Sequence, residues 1–357
     1  MNEARGPVAV VGGGIAGAAA CLRLVGLGIT PLWIAPTVEP GDKPGEHLAP
    51  AARGLLARIH AEHLLDDPRH REANSMLSAW GSERIEERNA ILQLQGAGVV
   101  LDRPAFEVAL TSLALSRGAR RINALVDKVT REGAGWRVKV GEDEHTADFV
   151  VDASGRAAVL ARDHGQRFRA DRLAALVVFL RQDPDSDVEA TRATLIEAVA
   201  DGWWYASLLA DGRLALNYFT DPDHLPRGAT RDIAVFKDLL AQTQYIDRWI
   251  GEAGFLVENV PSLVSAGTTW IAPAAGEGWA AVGDAAAAFD PLSSFGMTTA
   301  LWSAITVAEG VANGDLEAYP EKVAVGVRDF LTDRGKVYAA EQRFLDNEFW
   351  RRRRLDG

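Results

Sequence analysis

Residues 7–11, PVAVV, form a short apolar run that stops at Gly12. The stretch IAGAAACLRLVGLG then places small apolar residues at helical spacing, and ITPLWIA is apolar again. Strand, tight turn, helix and strand in this order open a parallel nucleotide-binding sheet. From residue 120 onward, RINALVDKV, WRVKV and DFVVDAS read as three further strands, with turns at Glu132 to Gly135 and Gly141 to Glu144. From Leu173 to Tyr218 the apolar runs lengthen and are joined by hairpin turns, most clearly Ala210 to Arg213 between GWWYASLL and LALNYF, which predicts an inserted antiparallel sheet. Residues 228–253 have helical periodicity, TTWIAP and GWAAVGDAA read as strands, a helix starts near Gly296, and long helical periodicity runs on from Asp315. No internal repeat or low-complexity linker interrupts the pattern.

The predicted fold class is α/β. A discontinuous Rossmann-like cofactor domain is expected from 1–60, 96–165 and 268–314, an antiparallel-sheet substrate domain from 61–95 and 166–267, and a helical C-terminal segment from 315–357. A chain of 357 residues can bury a core of this size. Every apolar run meets a charge well before the roughly 20 residues that cross a bilayer, so no membrane span is expected. Met1 to Gly6 lacks the basic-then-apolar order of a secretory signal, and the chain is read as cytoplasmic. The single cysteine, Cys21, excludes an internal disulfide, and without dense ligand spacing no metal is expected; Cys21 reads as a small buried residue of the first helix. The net charge of −11 argues against a nucleic-acid surface. Against that balance stands the run Arg351 to Arg354, read as a solvated helix end, with a grip on an acidic partner as the alternative.

GGGIAG puts Gly12, Gly14 and Gly17 after a predicted strand and at the mouth of a helix. In that context Gly12 permits the turn, Gly14 lets the backbone approach a pyrophosphate, Gly17 lets helix and strand pack, and the helix N-terminus attracts phosphate. Ala16 lies inside the same motif, and Val126 in the middle strands completes the expected cofactor-binding set. An acid that binds ribose should close the second strand, yet Ala35 stands there, followed by Pro36. Either Glu39 reaches back from the loop or the cofactor is held more loosely. In GWWY, Trp203 and Tyr205 share one strand face and Trp204 the other. The first pair is a candidate wall against an aromatic substrate, although sheet packing alone would use the same residues. His47 is a candidate proton donor or acceptor. No Ser-His-Asp arrangement is readable, which leaves the hard chemistry to a cofactor.

Three runs carry a resemblance. WAAVGDAAAAFDPLSSFGMTTAL resembles the second FAD signature of the aromatic-hydroxylase and flavin-halogenase superfamily, VVDASGR its DG-type motif with Asp152, Ser154, Gly155 and Arg156, and DRPAFEVAL the segment whose arginine, here Arg103, contacts the flavin nucleotide. GEHLAP resembles the GESLPP loop near the flavin, with His47 in place of serine. GWWYASLLADGRL and EQRFLDNEFWRRRR look most like the halogenase-like accessory hydroxylases that mature peptidyl quinone cofactors. The resemblance implies an FAD-binding domain of the glutathione-reductase and aromatic-hydroxylase type. It implies that Asp284, beside Gly283, bonds the ribityl chain, that Pro291 lies near the isoalloxazine ring, and that Gly296 and Met297 offer N–H groups to its N1 and O2 edge. The implied activity is a monooxygenase acting through a C4a-hydroperoxyflavin on an aromatic small molecule or peptide such as tryptophan, with NAD(P)H or a separate flavin reductase as electron donor. An oxidase or reductase without oxygen insertion, and a non-catalytic FAD-binding module, are the alternatives. Halogenases of this group use a lysine between the first motif and the middle strands; here Lys43 is followed by Lys128, and GWxWxIP is altered at Tyr205, so halogenation is not expected.

Overall fold

The computed structural model describes residues 6–37, 41–73, 75–89 and 97–355. Its first layer is a six-stranded sheet in the order Ala275–Gly276, Trp279–Ala281, Phe149–Asp152, Val8–Val11, Leu32–Ile34 and Arg120–Ile122. All pairs are parallel except the first. A strand covered on both faces is apolar at every position, which is why Val8–Val11 is wholly buried and shows no alternation. The helix Ile15–Gly26 packs against Gly296–Asn313 and Arg103–Ser116. Cys21 is buried inside it, and burial pushes its thiol well above the ordinary range. The run RINALVDKV proves to be two strands. Arg120–Ile122 ends the parallel sheet, whereas Lys128–Glu132 starts a separate antiparallel unit with Gly135–Val140 and Asp143–Ala147. Left-handed Gly133 and Gly141 make its two turns.

The second layer is an eight-stranded, largely antiparallel sheet whose central strands are Ala174–Gln182, Leu214–Thr220, Gly202–Leu208 and Thr194–Val199. Its two faces divide the aromatic residues as the period of two requires. Trp204 packs with Tyr218 and Phe236 in the core shared with the helices Ile233–Leu240 and Tyr245–Ala253, while Trp203, Phe219 and Tyr205 belong to the other face. The α/β class with an added antiparallel sheet and a helical C-terminus is borne out. Among the described residues no helix is long and apolar enough to cross a membrane.

The helices Tyr319–Ala340 and Glu348–Leu355 follow. Here the arginine run departs from both expectations. Arg353 is buried and donates to Asp221 at 2.6 Å; Arg352 reaches Asp221 at 3.0 Å and Asp223 at 2.7 Å; Arg354 donates to the Glu341 carbonyl. Arg352 and Arg353 clamp the acidic end of the eight-stranded sheet. Phe349 and Trp350 sit in the core on the same short helix, and the Arg353 guanidinium lies 3.7 Å from the Phe349 ring centroid. Asp221, Asp223 and His224 come within 4.8 Å of one another, but both carboxylates already bind these arginines. Removing one partner of a buried pair leaves the other charge uncompensated, at a cost of about 3–5 kcal/mol. Arg353→Met is therefore expected to lower the unfolding free energy in urea by about that amount, and Arg351→Met, at an exposed position, by no more than about 0.5 kcal/mol.

Candidate functional site

The glycine turn is built by backbone constraint. Gly12 has φ +118°, and a Cβ there would stand 2.2 Å from the Ala153 carbonyl oxygen. A Cβ on Gly17 would stand 2.0 Å from the Gly12 oxygen, so helix and turn approach this closely only on glycine. Beside Gly14 the space is open. The helix then starts at Ile15 without a side-chain cap, which leaves its first N–H groups for a ligand, and the helix dipole favours an anionic one.

A second uncapped helix start faces the same space. The strand Trp279–Ala281 delivers Gly283, whose N–H donates to Ser303 Oγ at 2.8 Å, and Asp284, which lies 3.7 Å from Arg156 Nε. Asp290 is wholly buried. Its carboxylate accepts from Leu292 N–H at 3.0 Å, Tyr338 Oη at 2.8 Å and Arg334 Nε at 3.2 Å, and Arg334 also bonds Asp171 at 2.8 Å. This network holds the turn Pro291–Ser293, after which Gly296 opens the helix Gly296–Asn313 with no side-chain cap and open space at its Cβ position.

Both helix starts border one cavity of about 380 Å³. Gly14, Ala16, His47, Arg103, Trp203, Tyr205, Asp284, Pro291, Gly296 and Met297 all line it. Gly12, Gly17 and Gly283 stand behind this lining as backbone supports, and Val126 lies outside it, half-buried against the core of the parallel sheet. Arg103 is held by the Pro44 carbonyl and by Glu107 at 3.0 Å. Trp203 reaches the cavity as part of a packed column: Phe219 stacks on it with centroids 3.9 Å apart, and its Nε1–H donates to Tyr338 Oη at 3.0 Å. Phe219 and Asn217 line the cavity too, and periodicity alone does not single them out. Asn217 stands opposite Tyr205 in the sheet register, and its buried Oδ1 has no hydrogen-bond partner.

Two titratable groups lie on the loop that carries GEHLAP. Burial, then the nearby Arg71 charge, holds His47 below its ordinary value, and its buried Nδ1 has no partner. Glu46 is 2% exposed, and burial holds its carboxyl above the ordinary range. The Tyr205 hydroxyl is its side-chain neighbour, without the geometry of a formed bond, so both Glu46 oxygens lack a hydrogen-bond partner. Burial, then the Glu46 charge, pushes the Tyr205 phenol well up. Glu46 and Arg103 also line a smaller cavity of about 120 Å³, bordered by Asp42, Lys43, Arg69 and Arg213.

At the end of the second strand the expected acid is replaced by Ala35, as the sequence reads. Glu39 lies outside the described residues. Ala35 is buried, and Arg121 donates to its carbonyl at 3.3 Å and to that of Pro36 at 2.6 Å. One Arg121 nitrogen would stand 3.5 Å from a Cβ on Gly13, so among the described residues a cation stands at the end of the second strand beside the glycine turn.

These residues fit FAD: two free helix starts suit a pyrophosphate and an electron-rich ring edge, and open glycines let both come close. No protein-family model matches the chain. The Marinomonas mediterranea protein LodB, described as an FAD-dependent oxidoreductase, is 27% identical over 365 residues, covering 96% of this chain and 95% of LodB. Among solved structures, the flavin-dependent halogenase CmlS superposes with a TM-score of 0.86 at 21% identity, covering 99% of this chain and 68% of its own. The peptidyl tryptophan dihydroxylase QhpG, essential for tryptophylquinone cofactor biogenesis, gives 0.79 at 23% identity, covering 98% of this chain and 79% of its own. The resemblance carried by the sequence motifs is therefore matched in three dimensions: the chain has the fold of the flavin-dependent halogenases and of this hydroxylase.

Proposed function

We propose that the protein is an FAD-dependent monooxygenase that hydroxylates an aromatic ring, with tryptophan in a peptide as the favoured substrate class. The observation that carries this reading is the meeting of two uncapped helix starts with an aromatic wall and the unpartnered Asn217 Oδ1 around one cavity. FAD bound there would take electrons from NAD(P)H or a flavin reductase and activate dioxygen for insertion into the ring. The chain's part is placement. N–H groups at Ile15 and Ala16 hold the pyrophosphate, and those at Gly296 and Met297 favour negative charge on the ring edge. Trp203, Phe219 and Tyr205 flank the substrate and exclude water. Asn217 Oδ1 accepts a hydrogen bond from an indole N–H. The His47 imidazole, kept neutral by burial, takes up a proton.

The similarity to LodB and QhpG supports an oxidoreductase acting on a peptide. Lysine chemistry of the halogenase kind has no support in the cavity. Among the described residues no lysine lines it, and Lys43 is bound to Glu107 at 2.5 Å beside the smaller cavity. Arginine is no substitute, because its guanidinium stays protonated.

With NADPH or a flavin reductase, labelled dioxygen, bromide and a tryptophan-containing peptide, mass spectrometry should find labelled oxygen and no bromine in the product. Peroxide released in step with substrate oxidation, without label in the product, would replace this reading by an oxidase. Trp203→Leu should raise uncoupled peroxide release while FAD stays bound, whereas Trp204→Leu, on the opposite face, should lower stability by about 2–5 kcal/mol and leave coupling intact. A hydrogen bond to a charged group contributes about 1.5–3 kcal/mol, so Arg121→Met should weaken FAD binding at least about tenfold in a fluorescence titration.

A further inference from the structure

Glu46 is a buried carboxyl with no part in the chemistry proposed for the large cavity. It sits between Gly45 and His47, both of which line that cavity, yet Glu46 itself belongs to the lining of the small one. The hydroxyl of Tyr205, a residue that lines the large cavity, is a close side-chain neighbour of its carboxyl. Behind that hydroxyl stand Thr194 and Ser207, bonded to each other at 3.0 Å. The charged groups around the carboxyl are Arg103 from the helix Arg103–Ser116 and Arg71 from the strand Arg71–Ala73, with Asp42, Lys43, Arg69, Asp102, Asp211 and Arg213 bordering the small cavity. A carboxyl that is 2% exposed and has both oxygens unbonded is costly, because desolvation is not offset by a partner. Burial favours the protonated form, against the backbone N–H groups of Gly45 and Glu46 and the Arg103 charge, and a protonated carboxyl is a donor.

We propose that Glu46 and Tyr205 form a proton relay between the reaction cavity and the small cavity, with Glu46 as the positioning and donating group behind Tyr205. The proposal rests on the FAD reading of the large cavity. The Tyr205 O–H gives its proton into the large cavity as its oxygen takes the proton of the Glu46 carboxyl, and Glu46 is reprotonated from water in the small cavity. Both residues end the cycle as they began. The relay has a defined load even without substrate. Dioxygen takes two electrons and one proton from a reduced flavin anion and needs one further proton from outside to become hydrogen peroxide. Within the aromatic wall Trp203 and Phe219 offer no exchangeable group apart from the bonded Trp203 Nε1–H, and His47, which lines the same cavity, stands there as a proton acceptor.

Two measurements test this, one of them without flavin. In the FAD-free protein, infrared spectra of wild type and Glu46→Gln recorded over a pH titration should differ by the carbonyl band of a protonated carboxyl, shifted in heavy water and persisting to higher pH than that of an exposed carboxyl. In FAD-loaded protein reduced with dithionite and mixed with oxygenated buffer, Glu46→Gln should slow reoxidation by roughly a hundredfold, the lower end of what a positioned proton donor contributes. Wild-type reoxidation should fall as pH rises through the titration of Glu46, and this dependence should vanish in the variant. Added formate, small enough for the small cavity, should restore the rate, and Glu46→Asp should keep part of it. Reoxidation of Glu46→Gln at the wild-type rate would overturn the relay, as would a slow variant that formate does not restore or the absence of a protonated carboxyl band. The flavin spectrum of the wild type is read first: failure to bind FAD would sink the cofactor reading itself, separately from the relay.

Discussion

The buried carboxylate of Asp290 is the constraint on which the site depends. A carboxylate with no solvent exposure costs several kcal/mol unless its lone pairs are met. Here they are met by groups from two parts of the chain: Leu292 N–H in its own turn, and Arg334 and Tyr338 one helical turn apart on Tyr319–Ala340. Satisfying Asp290 therefore fixes where that helix lies relative to the turn Pro291–Ser293, and the turn in turn fixes where Gly296 begins the next helix. The position of the N–H groups at that helix start is thus set by a salt bridge on the far side of the loop.

The network does not stop there. Tyr338 Oη accepts from Trp203 Nε1–H while donating to Asp290, so one hydroxyl joins the eight-stranded sheet to the loop of Asp290. Arg334 is shared with Asp171, just ahead of the strand Ala174–Gln182. Behind Tyr338 the aromatic rings of Trp80, Phe349 and Trp350 pack edge-on or tilted, and Trp350 Nε1–H donates to the Val199 carbonyl. The Arg353 to Asp221 pair fastens that last helix to the end of Leu214–Thr220, the strand that supplies Asn217 and Phe219. The C-terminal helices therefore act as the rear support of the aromatic wall, and a substitution in them should be felt at the cavity as misplacement of Trp203 and Phe219.

What the chain reveals unaided follows the range of each constraint. The glycine turn is legible because its requirements are local: a positive φ at Gly12 and close packing at Gly17 involve neighbours within a few residues or one adjacent strand. The facing of Trp203 against Trp204 is legible because strand alternation is a backbone property. Arg334, Tyr338 and Arg121 are not, since nothing in their own neighbourhoods distinguishes a helix arginine in the core from one in water. The run Arg351 to Arg354 escapes the sequence for the same reason. A signal is present there: Phe349 and Arg353 are four apart on one helix face, so an arginine follows an aromatic residue into the core. Motif position points to an acid at Ala35, whereas the group that occupies the place, Arg121, comes from a neighbouring strand far along the chain, paired in register with Trp33.

On the monooxygenase proposal, a site of this construction has to meet two opposed requirements. Oxygen chemistry at a reduced flavin is protected by dry, apolar walls, and the stacked Trp203 and Phe219 supply them. The same chemistry consumes protons, which apolar walls do not carry. Polar groups must therefore enter the wall, and each unbonded one carries a desolvation cost that selection would remove if packing were all that mattered. Among the described residues unpartnered polar atoms occur in several places, Trp136 Nε1 and Trp249 Nε1 included, and four of them, Asn217 Oδ1, His47 Nδ1 and both Glu46 oxygens, lie at or just behind this one cavity. Sheet packing alone gives no reason for these four. A cavity whose ligands complete the bonds of Asn217 and His47, and whose protons pass by Glu46, gives one for each atom.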